Sequence, residues 1–237
     1  MFNIKKSIIA ASLAFAGLTA AGSAAADVIG LYGSNNNDAI ISFLTANGHT
    51  AYNLGGLDAG SLGGVDAVML LRTDGNASLA NFVQNGGMLI TEWSGATFGM
   101  GLLGGTASQV GYVGTDTPIT FTAAGTGAGL STGLGTSYAG GPGTEFFYNI
   151  GSLGTATQFA TRPGDLTAIA GGKVGAGYVY VNAYDWADTA ITASTQTLLL
   201  NELANRGAIE EVPEPASIAL FGLALAGLTA RRKSAKK

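Results

Sequence analysis

Four short apolar runs, VIGLYG (28–33), HTAYNL (49–54), DAVMLLR (66–72) and MLITEW (88–93), share the first part of the chain with two stretches of helical periodicity. This alternation limits the fold more than any other feature. In AIISFLTANG, Ile40, Ile41 and Leu44 fall on one helical face, Asn37 is placed to cap the start and Gly48 to close the end. In ASLANFVQN, Leu79, Phe82 and Val83 form the stripe, with Asn76 before it and Gly86-Gly87 after it. Strands that are apolar throughout suit burial on both faces, which calls for parallel pairing and crossover helices. The expected class is α/β, a mostly parallel sheet flanked by helices.

From Thr97 to Gly154 the chain is rich in Gly, Thr, Ala and Ser, with apolar alternation in pieces such as PITFTA (118–123). The segment is too long for a bare loop and predicts short antiparallel strands and turns, a β insertion beside the sheet. ATQFAT, DLTAIAG and GYVYVNAYDW resume the strands, and TLLLNELANRG is a last helix built on Leu198, Leu199 and Leu203.

The two ends read differently. Lys5 and Lys6 precede an apolar run from about Ile8 to Ala21, and Ala24 and Ala26 make an A-x-A-like cleavage site. Residues 1–26 are therefore a secretory signal peptide, with signal peptidase and the secretion machinery as partners, and the mature chain starts near Asp27. At the far end an uncharged run, Ala216 to Ala230, would cover roughly 22 Å as a helix, short for a ~30 Å hydrocarbon core. Arg231, Arg232 and Lys233 follow it, and such a basic tail stays cytoplasmic, which orients the preceding domain outward. A plain single-pass anchor is the simpler alternative.

Between these ends 14 Asp and Glu stand against four basic residues, Arg72, Arg162, Lys173 and Arg206, a net charge of about −10. Such a surface disfavours nucleic acid and anionic lipid. The absence of cysteine excludes a disulfide framework, a thiolate zinc site and a cysteine nucleophile.

Pro213-Glu214-Pro215 directly before the apolar run, the small-residue helix and the basic end together resemble the PEP-CTERM sorting signal over about the last 26 residues. The resemblance implies cleavage near Pro-Glu-Pro by an exosortase, a transient inner-membrane anchor, and a Gram-negative source that makes exopolysaccharide. The domain plan is then signal peptide 1–26, α/β domain 27–208 and sorting signal 209–237 with a C-terminal hydrophobic transmembrane helix. Within the domain, NGHTAYNL, ANFVQNGGMLITEWSG and GKVGAGYVYVNAYDWAD resemble the class I glutamine-amidotransferase-like fold, a flavodoxin-like sheet, across residues 28–207.

In catalytic relatives of that fold the turn after the fourth strand carries a cysteine nucleophile. Here the turn reads Thr91-Glu92-Trp93-Ser94-Gly95, the matching position is Trp93, and Ser94 lacks the G-x-S-x-G frame. The single histidine, His49, opens the second strand, whereas sites in open parallel sheets lie beyond the carboxyl ends. An acyl-transfer enzyme is therefore not expected, and no cofactor or metal motif is present. The carboxyl ends do carry Asn35, Arg72, Asp74, Glu92, Trp93, Tyr184, Asp185 and Trp186, which a parallel sheet would bring to one rim. Aromatic rings beside amides and carboxylates are the equipment of a glycan site, which would suit exopolysaccharide. The plainer alternative is that both tryptophans pack beneath the inserted strands. A third reading makes Glu92 and Asp185 or Asp74 the acid and base of a glycan hydrolase.

Overall fold

The computed structural model describes residues 27–114, 116–139, 145–187 and 191–205. The signal peptide, Pro213-Glu214-Pro215, the C-terminal apolar run and the basic tail lie outside the described residues. Among the described residues no helix is long and apolar enough to cross a membrane.

The first half alternates as its periodicity predicts. Strand β1 (Val28–Gly33) leads to helix α1 (Asn37–Ala46) and β2 (Thr50–Asn53), then β3 (Ala67–Leu71), α2 (Ala77–Gln84) and β4 (Met88–Glu92). The Asn76 side chain accepts from Leu79 N–H at 3.0 Å and caps α2. Asn37 does not cap α1. The cap position is Asn36, in the left-handed region with no side-chain cap bond, while Asn37 accepts from Asn35 N–H at 2.8 Å and donates to the Gly33 carbonyl at 3.1 Å.

The glycine-rich middle begins with a helix that propensity argues against, α3 (Gly95–Leu102), sequence GATFGMGL. Packing overrides propensity here: a Cβ on Gly99 would lie 2.9 Å from side-chain atoms of Thr91 and Val181, so only glycine lets the helix approach the sheet this closely. Then come β5 (Ala107–Val113), β6 (Ile119–Phe121), α4 (Ala123–Gly127), β7 (Ser137–Tyr138) and β8 (Glu145–Ile150). The chain closes with β9 (Thr157–Arg162), β10 (Leu166–Val174), β11 (Gly177–Asn182), β12 (Tyr184–Asp185) and α5 (Ala193–Ala204).

Nine strands form one sheet in the order β2-β1-β3-β4-β11-β10-β9-β6-β7. The first five are parallel, and from β10 onward every pairing is antiparallel. The sheet is therefore mixed, a parallel half continued by an antiparallel one. The direction reverses because Gly175-Ala176 forms a two-residue hairpin between β10 and β11, with Gly175 at φ 62°. A second sheet, β12-β8-β5, is antiparallel and extends from the carboxyl end of β11.

Side-chain alternation splits the core into two layers. Ile29, Leu31, Met69, Leu71, Ile90 and Tyr180 face α1 and α5, whereas Val68, Leu70, Leu89, Val179 and Val181 face α2 and α3. The first layer buries a carboxyl group as well. Glu202 of α5 is fully buried, receives a hydrogen bond from Asn182 Nδ2 at 3.1 Å, and burial pushes its pKa up to about 8. An acid whose folded pKa is raised holds its proton in the folded state after the unfolded chain has lost it. Its stabilising contribution is complete below the unfolded value and is lost as pH rises toward 8. Glu202→Gln is expected to remove about 1 kcal/mol per pH unit from the decline in unfolding free energy between pH 5 and 8, measured by urea denaturation.

Candidate functional site

The carboxyl ends of β1, β3, β4 and β11 meet at one rim, and four of the eight candidate residues join there in a polar cluster. Glu92 and Asp185 are both buried and lie side by side. Asn35 spans the pair with its amide, donating from Nδ2 to Glu92 Oε1 at 2.9 Å and to Asp185 Oδ1 at 3.0 Å. The Arg72 main-chain N–H donates to Glu92 Oε2 at 3.0 Å, and its guanidinium Nη2 pairs with Asp185 Oδ2. Burial, together with the adjacent Asp185, drives the Glu92 carboxyl well above the ordinary carboxylate range.

The rim is also strained. Asn36, Arg72 and Trp93 have φ of 49°, 49° and 48° and follow three adjacent parallel strands. Left-handed backbone costs a non-glycine residue about 1–2 kcal/mol and tends to concentrate at functional positions. At Trp93 the left-handed residue turns the chain from β4 into α3. Trp93 N–H donates to the Tyr184 carbonyl at 3.2 Å, which ties the elbow to β12.

The half-buried Trp93 ring lies against the Arg72 guanidinium, 4.6 Å from centroid to Cζ, and against Phe147 of β8, 4.6 Å between ring centroids. Phe147 in turn meets Tyr112 of β5 at 5.7 Å. A bulge builds this strip. Pairing of β5 with β8 passes from Gln109–Tyr148 to Val113–Phe146, so Val110, Gly111 and Tyr112 stand opposite Phe147 alone, with Gly111 at φ 81°. Tyr112 is thereby left 57% exposed, with Val110 and Val113 open beside it.

The remaining candidates do not join the site. Trp186 is only 1% exposed and its Nε1–H donates to the Thr91 carbonyl at 3.1 Å, so the expected second aromatic platform is instead a core residue. Tyr184 is buried, its hydroxyl 2.8 Å from that of Tyr138. Asp74 is exposed on the loop after β3 and makes no hydrogen bond to the cluster. His49 lies at the amino end of β2 beside Asp27, away from the rim. Sequence reasoning missed Phe147 and Tyr112. The available signals were the uncharged VGYVG and FFY strings within the insertion.

Residues 211–233 match the PEP-CTERM protein-sorting motif. No curated protein matches the chain. Among solved structures, a protein assigned as a GMP synthase component from Thermoplasma acidophilum is 13% identical with a TM-score of 0.59, covering 78% of this chain and 97% of that one. A cytoplasmic protein from Salmonella typhimurium LT2 is 12% identical at a TM-score of 0.55, covering 74% and 97%. A β-galactosidase from Bacillus circulans is 14% identical at 0.50, covering 75% of this chain and 30% of that chain. These likenesses show a shared amidotransferase-type α/β fold and say nothing of a reaction.

The strain at position 93 has a measurable sign. Glycine normally destabilises relative to alanine, but at φ 48° the order should invert, with Trp93→Gly more stable than Trp93→Ala by about 1 kcal/mol in urea unfolding. What the sorting motif establishes is an exported chain, transiently anchored in the membrane, whose processing partner is an exosortase.

Proposed function

We propose that the exported domain is a non-catalytic binding module of the cell envelope or exopolysaccharide matrix, and that it engages glycan along the Trp93–Phe147–Tyr112 strip. The observation that carries this reading is the bulge, which lifts a tyrosine out of an edge strand to extend an aromatic row at the ligand end of the sheet. Rings held in this way cover the apolar face of a pyranose.

Binding without turnover is supported by the carboxyl groups. Hydrolysis by an acid and a base needs two carboxyls about 5–10 Å apart across an open groove. Glu92 and Asp185 are instead buried side by side and occupied by Asn35 and Arg72. The elbow that holds a nucleophile in catalytic relatives carries an indole. A hydrolase at this rim would require the whole cluster to open.

Titration of the purified protein with exopolysaccharide should give saturable quenching of tryptophan fluorescence, reported by Trp93 because Trp186 is buried. Tyr112→Ala is expected to abolish the quenching while changing stability by no more than about 0.5 kcal/mol, since the side chain is exposed. New reducing ends in the same samples, lost on Glu92→Gln, would replace the binding reading with the hydrolase. Sorting is tested separately: replacing Pro213, Glu214 and Pro215 by alanine should leave uncut precursor in the inner membrane, and unchanged processing would contradict it.

A further inference from the structure

We infer that the amino end of β1 is a seat for a free α-amino group, the one that signal peptidase creates at Asp27, with His49 as its principal acceptor. The seat depends on the cleavage site read from the sequence, Ala24 and Ala26 ahead of Asp27. Two independent observations coincide on one atom. The sequence puts the cut at the Asp27 nitrogen, and the fold buries that residue with the same nitrogen against a hydrogen-bond acceptor.

Asp27 is only 3% exposed. Its carbonyl accepts from Thr50 N–H at 2.9 Å, and its N–H donates to His49 Nδ1 at 3.3 Å. The same ring nitrogen is 3.6 Å from Asp27 Oδ2, and both side chains are buried. Gly48, at φ 89°, takes the chain out of α1 in one residue, and His49 N–H is tied back to the Leu44 carbonyl at 3.1 Å, which sets the ring in place. Because Nδ1 accepts, the proton of the neutral imidazole is on Nε2. Asp66, just before β3, brings a second carboxylate to this end of the sheet and accepts from Val28 N–H at 2.8 Å.

Hydrolysis of the Ala26–Asp27 bond sends the water oxygen to Ala26 as a carboxylate and both water protons to the Asp27 nitrogen. An amide with one N–H becomes an ammonium with three donors. One donor keeps His49 Nδ1, and the Asp27 and Asp66 carboxylates are acceptors for the others. A hydrogen bond from an ionised donor is about twice as strong as a neutral one. The new positive charge also stands beside two acids that repel each other, and it turns that repulsion into attraction. The uncut precursor offers the same imidazole only a neutral amide. Removal of the leader therefore tightens the join between β1 and β2, the strand at the edge of the nine-stranded sheet.

The test is acylation of the secreted protein by acetic anhydride at neutral pH, read at the Asp27 amine by peptide mass spectrometry once intact mass has fixed the first residue. That amine should react about tenfold more slowly in the folded protein than in urea, the protection given by one hydrogen bond from a charged group. His49→Leu should remove the protection, and His49→Gln, which keeps an acceptor, should retain most of it. A chain that retains Ala26 has its amine displaced from the seat and should react at the unfolded rate, which decides the matter even where His49→Leu fails to fold. A first residue other than Asp27, equal reactivity in the folded and unfolded chain, or protection that persists in folded His49→Leu or in the Ala26-retaining chain would each overturn the inference.

Discussion

Glu92 and Asp185 are two carboxyl groups in contact beneath the rim, and the upper half of the structure depends on how they are reconciled. Buried alone, each ion would cost several kcal/mol. Burial and Asp185 raise the Glu92 pKa, which favours its uncharged form, the Arg72 guanidinium pairs with Asp185, and the Asn35 amide spans both acids. These four residues come from the ends of β1, β3, β4 and from β12, so the cluster joins the parallel sheet to the small antiparallel sheet. Removing one partner from such a cluster strands the others in low dielectric, which typically costs about 3–5 kcal/mol.

The aromatic strip follows from that junction. β8 pairs with β12 beside the cluster, with Asp185 opposite Glu145 and Tyr184 opposite Phe146. The next residue, Phe147, then meets Trp93, whose own N–H is held by Tyr184. The backbone strain at Asn36, Arg72 and Trp93 is tolerated because the cluster holds each turn in place. The left-handed turn after β4 aims an indole at Phe147. The acids below it are bridged by Asn35 and Arg72.

Much of this was legible in the sequence, for physical reasons. Apolar runs alternating with helical periodicity specified β1 through β4, and in parallel strands that fixes which ends meet, so Asn35, Arg72, Glu92 and Asp185 could be placed on one rim. Their mutual burial could not be read, because a carboxylate at a strand end looks alike in sequence whether it faces water or an arginine. Trp186 shows the same limit: its indole N–H satisfies the Thr91 carbonyl inside the core. Helix α3 was hidden by its glycines, which are required by close packing and not by a turn. Tyr112 and Phe147 were hidden because a bulge breaks the period-two pattern that reveals strands.

The central claim is that the rim acids are an internal support and not a working acid–base pair. The direct measurement is a carbon-13 NMR titration of the Glu92 carboxyl in the folded protein. The structure predicts that Glu92 titrates well above the ordinary glutamate range, pushed up by burial and by Asp185. A titration near pH 4, the ordinary value for a solvated glutamate, would mean a carboxyl open to water and would contradict the account.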